Sequence, residues 1–461
     1  MKKILSFLLL AALLLSLLSG CGDAQPEDPS QQTEDLSWQN TPTVPQENKS
    51  LTVFCMDLGK DAKLAQLAIT RYRALHPDVD VDLQMREYVD ANAAEEIYQQ
   101  VAAEIMAGKG PDVLLLNDLF LDTEKLVRQG VFADMEPFFE ADGFDWTPYQ
   151  QTVMDGGVWN GKRYIIPLSY DFPLLFTTRE ALEETGFHTD ACGDFLGFVE
   201  ETGRFMEDPA QTRRLFFSSY PSFSFADYGG IHYADYGIKT ANLSAPELEA
   251  GLRWFKTVQE KYPLGAGSAG GLQNAASVRD GESLWADDTL GALNGFCNQY
   301  SALKTVGEPV MMPIRDLNGT IQAEIKYPVA VRGNSENLQN AYDFIKILLS
   351  EEIQLGYDWQ ELSVLNSVND YFFQKTAAGK SFHIMAGTDG FYSTTREHEA
   401  VDWPTDAEYQ EFLGYVNEIS GTYYRSHLGL IRNMRPFWQD GESYEETAQA
   451  AKRKLEIYLT E

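Results

Sequence analysis

Leu51-Thr52-Val53-Phe54-Cys55-Met56 opens the folded part of this chain. The run carries no charge and has β-branched and aromatic residues at its centre, so it reads as a buried strand. Residues 62–75 then place Leu64, Leu67, Ala68 and Tyr72 at helical spacing, and Pro77 stops them. Residues 79–85 alternate Val79, Val81, Leu83 and Met85 against Asp80, Asp82 and Gln84, which is the pattern of a strand with one buried face. A helix over 93–107 with Gly108 as its stop, and an apolar strand over 112–116, complete the series. Strand, helix, strand, helix, strand is the order of an open α/β domain.

In open α/β sheets, ligands bind beyond the carboxyl ends of the strands. Asn117 and Asp118 fall just past one such end, and Asp57 falls past another. The same residue types also begin turns and cap helices, so a turn at Asn117 and a helix near Leu121 capped by Asp118 fit the sequence as well as ligand contact does. Asp57 carries the same two readings.

Upstream, residues 22–50 are rich in Pro, Gln, Glu, Asp, Ser and Thr. They hold too little apolar surface to offset the entropy of ordering, and read as a flexible acidic linker. Before them stand Lys2 and Lys3, an apolar stretch over 4–18, and Leu18-Ser19-Gly20-Cys21. This resembles a bacterial lipoprotein signal peptide, which implies a leader over 1–20 removed ahead of a lipid-bearing Cys21. The apolar stretch is short of the roughly 20 residues that span a bilayer. No later run is long and apolar enough to span, so one lipid is the only membrane attachment expected.

The remaining length suggests two domains at about 100–200 residues each. If Cys21 is lipidated, Cys55, Cys192 and Cys297 remain, an odd count that argues for buried thiols over a disulfide framework and leaves room for one bridge at most. A formal net charge of −33 disfavours nucleic acid or an anionic membrane surface as partner.

Further strings extend the pattern in a fixed order: Arg73-Ala74-Leu75-His76-Pro77, Ile105-Met106-Ala107-Gly108-Lys109-Gly110-Pro111-Asp112-Val113, and Leu126-Val127-Arg128-Gln129-Gly130-Val131-Phe132-Ala133-Asp134-Met135. Asn160-Gly161-Lys162-Arg163-Tyr164-Ile165-Ile166-Pro167, Gly333-Asn334-Ser335-Glu336-Asn337 and a last helix over 443–459 follow. Together they resemble the extracellular solute-binding proteins of ABC importers, the family that includes maltose-binding protein. The resemblance covers nearly all of the chain after the linker, and rests on order and spacing. It implies a two-lobed periplasmic-binding-protein-like α/β fold (type II), with lobes over 51–168 plus 329–362 and 169–328 plus 363–461, joined by several hinge crossings. It further implies a monomer outside the cytoplasm that captures a solute, with a carbohydrate expected, and hands it to permease subunits without cofactor or metal. A peptide or polyol ligand, a surface receptor or adhesin, and an exported hydrolase are the alternatives.

The same resemblance puts Pro167-Leu168-Ser169-Tyr170-Asp171 where the chain first crosses between lobes, so Tyr170 would offer a face and Asp171 a carboxylate to a polyhydroxylated ligand. Residues 220–236 are dense in aromatics, among them Tyr228 and Tyr233, which suit either sugar stacking or the loop's own packing. Gly281-Glu282-Ser283-Leu284-Trp285 and Leu293-Asn294-Gly295-Phe296 resemble the family's helix and Asn-Gly turn at the cleft, implicating Trp285 and Phe296. Phe296-Cys297 departs from the Pro-Trp frequent in relatives.

Apparent catalytic strings fail on context. Gly265-Ala266-Gly267-Ser268-Ala269-Gly270 matches G-x-G-x-x-G but follows a helical segment over 247–260, where a dinucleotide fingerprint follows a strand. Residues 156–162 have phosphate-loop spacing, yet Arg163 stands where Ser or Thr would hold magnesium, so a turn before the crossover strand is expected. The six histidines show no metal spacing, and the pairs Glu95-Glu96 and Glu200-Glu201 read as solvated helix faces.

Overall fold

β1 (Ser50–Asp57) is hydrogen-bonded in parallel to β2 (Asp80–Glu87) on one side and β3 (Val113–Leu115) on the other. Strand alternation sends Leu51, Val53 and Cys55 to one face and Phe54 and Met56 to the other. The helix Lys60–Leu75 covers the first face with Leu64, Ala65, Ala68 and Tyr72, and Tyr72 meets Phe344 of the helix Leu338–Leu349 at 5.8 Å between rings. Ala91–Met106 covers the second, its Tyr98 edge-on to Phe54 at 5.8 Å. This helix begins where the Asp90 carboxylate accepts from the Ala93 amide at 2.9 Å. The computed structural model describes residues 50–57, 60–116, 121–216, 222–263, 276–286, 292–356, 361–378, 382–385 and 398–460. The leader, the linker up to residue 49, Cys21, Asn117, Asp118 and the Gly265-to-Gly270 loop lie outside the described residues, and Ser50, expected in the linker, begins β1.

Beyond β3 the sheet turns antiparallel. β4 (Ile165–Asp171) and β3 both pair antiparallel with β5 (Ile321–Val331), β6 (Leu362–Ser363) adds to β4, and β7 (Ile419–Tyr423) runs parallel to the start of β5. The order is β6-β4-β5-β3-β1-β2, with β7 branching from β5. β5 therefore changes partners along its length: residues 321–324 face β7 and residues 329–331 face β3. Tyr327, at φ 49, sits between the two sections. A left-handed aromatic residue is uncommon, and here it falls where β5 changes neighbours.

The rest of the body packs helices Arg179–Thr185, Phe195–Glu207, Pro246–Lys261 and Leu293–Leu303 around an antiparallel ribbon of Leu174–Thr178 and Pro309–Pro313. The closing helix Tyr444–Thr460 is tied in by the Tyr444 hydroxyl, which donates to the Leu243 carbonyl at 2.8 Å.

One carboxylate fastens the start of the sheet. Asp112, 2 % exposed, accepts from the Thr52 amide (2.9 Å), Thr52 Oγ1 (2.7 Å), Ser335 Oγ (2.6 Å) and Asn337 Nδ2 (2.9 Å), with Arg332 Nη2 at 3.2 Å. Burial alone would raise its pKa, but these hydrogen bonds outweigh burial and hold it below the ordinary value.

Some expectations needed correction. β2 lies at the sheet edge, so Met85 is exposed instead of joining a buried face. Asn294 and Gly295 are not a turn: they lie in the first turn of Leu293–Leu303. Glu201 is not solvated, because Arg204 Nε holds it at 2.7 Å and the His188 amide at 2.6 Å. Cys55, Cys192 and Cys297 are buried free thiols, and burial pushes the Cys192 thiol up to about 12.

Candidate functional site

Residues 156–163 contribute to one wall of a cavity through Gly156, Val158 and Trp159. They form a hairpin, Val158–Trp159 against Lys162–Arg163, whose two turn residues Asn160 (φ 53) and Gly161 (φ 76) both take positive φ. That is the tight hairpin turn for which Asn-Gly is the favoured pair. Ahead of it, Gly157 passes so close to β4 that a Cβ would lie 1.9 Å from the Ile165 carbonyl oxygen. Only glycine fits there. The string with phosphate-loop spacing is thus a turn ahead of β4, and it presents Trp159.

Trp159 stacks on Tyr424, with ring centroids 5.6 Å apart and planes at 29°. Tyr424 follows β7, and its hydroxyl donates to the Gly156 carbonyl at 3.1 Å. The cavity holds about 390 Å³, and its wall combines three segments: residues 155–159, 226–236 and 422–428, with Asp122 and Glu124 completing it. This volume is in the roughly 300–1,000 Å³ range of small-molecule sites.

Polar groups converge on the same place. Tyr233 shares a hydrogen bond with Ser426 Oγ at 3.0 Å. Asp122 accepts from the Tyr236 hydroxyl at 2.7 Å and the Tyr458 hydroxyl at 2.8 Å, and caps the helix Thr123–Arg128 through the Lys125 amide at 3.0 Å. Behind the wall, Glu324 is bonded to Lys326 and lies 3.1 Å from Arg425 Nη2, while Lys326 Nζ lies 3.9 Å from Asp171. Asp227 accepts from the Ser426 amide at 3.4 Å. Burial first, and then the charge on Glu324, push its pKa up to about 7.

The expected site residues separate. Tyr233 lines the cavity. Asp171 is 1 % exposed and sits inside β4, so it faces Lys326 and does not reach the cavity wall. Tyr170 is fully buried in the core, because a strand and not an open crossover holds it. Tyr228 is buried beside Phe195, while its neighbour Asp227 reaches the cavity. Trp285 is fully buried against Phe187 at 5.5 Å, and Phe296 stacks on Phe412 at 4.5 Å, so both belong to the core and not to a cleft wall. Asp57 is exposed at the end of β1, away from this wall.

Sequence reading missed Trp159, Tyr424 and Asp227. An aromatic residue directly ahead of an Asn-Gly turn was the available signal for Trp159. Tyr423-Tyr424-Arg425, three large polar-tipped residues in a row, was the signal for the opposite wall.

Among the described residues, no group of His, Cys, Asp and Glu could hold a metal ion, and no helix is long and apolar enough to cross a membrane. Rings, hydroxyls and carboxylates together suit a polar solute with apolar faces.

A mixed α/β body with a ring-lined cavity assembled from distant segments matches the architecture of two-lobed binding proteins. The chain belongs to the bacterial extracellular solute-binding protein family, whose family model matches residues 57–355. It is similar in fold to the sugar-binding protein MalE of Xanthomonas citri, at 14% identity and TM-score 0.59, over 89% of this chain and 97% of that one. A family 1 extracellular solute-binding protein from Alicyclobacillus acidocaldarius aligns over 91% of this chain and 100% of its own, at 14% identity and TM-score 0.55. An ABC substrate-binding protein from Listeria monocytogenes, solved in complex with cycloalternan, aligns over 90% and 100%, at 12% identity and TM-score 0.54. No curated protein matches the sequence.

Proposed function

We propose that this protein captures a sugar or oligosaccharide in the Trp159–Tyr424 cavity and delivers it to the permease of an ABC importer. The observation that carries the reading is the stacked ring pair beside Asp227, Arg425 and the Tyr233–Ser426 bond, in a cavity of about 390 Å³. Aromatic faces bury sugar C–H surfaces while carboxylates and guanidinium take hydroxyls. The names of the similar structures, MalE and a cycloalternan complex among them, support a carbohydrate.

The lobes run over 51–168 with 329–362 and over 169–328 with 363–461, and β4 and β5 are two of the crossings between them. A ligand touching both lobes stabilises a closed form, which is the form an importer would recognise. Cys21 carries the lipid that keeps the monomer at the outer face of the cell membrane. No bond is made or broken, so glycans incubated with the protein stay intact.

A thermal-shift screen against mono- and oligosaccharides tests the reading. Ligand at 100 times its Kd stabilises the folded state by about 2.7 kcal/mol. A screen in which no saccharide raises the melting temperature, or one in which a saccharide is hydrolysed, refutes it.

A further inference from the structure

Residues 425–439, Arg425 to Gln439, contain three arginines and one histidine and no Asp or Glu, in a chain whose formal net charge is −33. The fold gathers that run around a second cavity of about 730 Å³, lined by Arg425, His427, Arg432 and Arg435 together with Trp438 and Phe223. It adjoins the ring-lined cavity, sharing Asp227, Tyr233, Arg425 and Ser426 with it.

The arginines differ in how far their charge is already matched. Arg425 lies 3.1 Å from Glu324. Arg435 Nε donates to the neutral Gln439 Oε1 at 2.6 Å, and among the described residues its guanidinium has no carboxylate partner. Arg432 is exposed and makes no hydrogen bond or ion pair with the described residues. The carboxylates facing this cavity are Glu95 and Asp227, and burial raises the Asp227 pKa, which weakens its opposition to an anion. A third hollow of about 490 Å³ meets the second at Glu95, His427 and Arg432, and adds Lys125 and Lys454 opposite Asp122. The ring-lined cavity has the opposite balance, with Asp122, Glu124, Asp155 and Asp227 set against Arg425 and His232.

We propose that the Arg432–Arg435 cavity is an anion subsite, and that the solute is an acidic oligosaccharide in which one uronic acid is joined to neutral sugars. The inference rests on the ring-lined cavity being the sugar site. A planar carboxylate matches the guanidinium fork, and charge-assisted bonds of this kind are strong and directional. The carboxylates around Trp159 and Tyr424 repel a second acid group, so the neutral sugar stacks there and the uronate points towards Arg432 and Arg435. The strong negative charge of the whole chain opposes an anionic solute at long range, which leaves the local cationic patch to admit it.

Titration calorimetry on the full chain tests this with disaccharides and trisaccharides carrying one uronate on one or two neutral sugars, and with their carboxyl-reduced counterparts. At least one acidic member binds about tenfold or more tighter than its reduced form, and its affinity falls as salt rises. The double variant R432Q/R435Q, at two exposed positions, weakens the acidic sugar about tenfold or more and its reduced counterpart far less, so that the gap between them closes. Circular dichroism confirms that the variant is folded. Equal or tighter binding of the reduced sugars overturns the proposal while leaving sugar capture intact, and so does an acidic sugar whose affinity the double variant does not alter. If no saccharide of either set binds, and none in the wider screen does, both readings fall together.

Discussion

Asp112→Ala removes the carboxylate that joins β1, β3 and the loop before the helix Leu338–Leu349. It deletes acceptors for the Thr52 amide and hydroxyl, Ser335 Oγ and Asn337 Nδ2, and takes the carboxylate away from Arg332. Arg332 keeps its bonds to the Gly108 and Pro111 carbonyls and to Asn334, so its charge is not orphaned. Hydrogen bonds to a charged group contribute about 1.5–3 kcal/mol each but are not additive. Breaking a buried charged cluster by removing one member costs about 3–5 kcal/mol, and the low end applies here because Arg332 retains partners. With an unfolding entropy of about 2.1 cal/mol/K per residue over a folded body of about 410 residues, each kcal/mol moves the melting temperature by about 1 °C, so a loss near 3 kcal/mol lowers it by roughly 3–4 °C. The sign of the pH dependence follows from the lowered pKa. The stabilisation is present above the unfolded pKa of about 3.9 and is lost as pH falls through the folded value, so the gap between wild type and variant closes below about pH 4. Thermal melts followed by circular dichroism at pH 7 and in the acid range measure both effects. A variant melting within about 1 °C of wild type at pH 7, or a gap that widens in acid, would refute the reasoning.

Asp227→Asn tests the other perturbed carboxyl: with a folded pKa of about 7, wild type loses stability as pH rises from about 4 through 7. The variant gains on wild type across that window, and parallel melting curves from pH 5 to 8 would contradict the shift. Trp159→Ala weakens sugar binding by about tenfold or more without unfolding the protein, whereas Trp285→Ala, in the core, costs about 3–5 kcal/mol of stability. Calorimetry and melting of the two variants should give opposite patterns, and a Trp285 variant that is stable but blind to sugar would put that residue back in the site. Cys21→Ala releases the protein from membrane fractions or blocks leader removal, and a variant still carrying lipid would sink the assignment.

The sequence by itself determined the βαβαβ start of the sheet. Leu51 to Leu116 alternates, caps and stops through local chemistry that reads the same in a short peptide as in the fold. The order and spacing of the chain's motifs likewise carried the resemblance to the solute-binding proteins of ABC importers. The site was less legible, because cavity walls are made by residues that meet only after folding. Trp159 reaches Tyr424 across more than half of the chain, through a hairpin that Gly157 lets press against β4. Trp285 and Phe296 looked like sugar platforms because a ring is chemically the same in a core as on a cleft. Burial alone separates the two, and burial is decided by which helices pack over the ring. Tyr170 and Asp171 were displaced for a related reason: residues expected in an open crossover are sealed inside β4 by its pairing with β5 and β6. Arg425, Arg432 and Arg435 stand close together in sequence without forming a recognisable motif, and only tertiary packing sets them beside a ring-lined cavity of opposite charge balance.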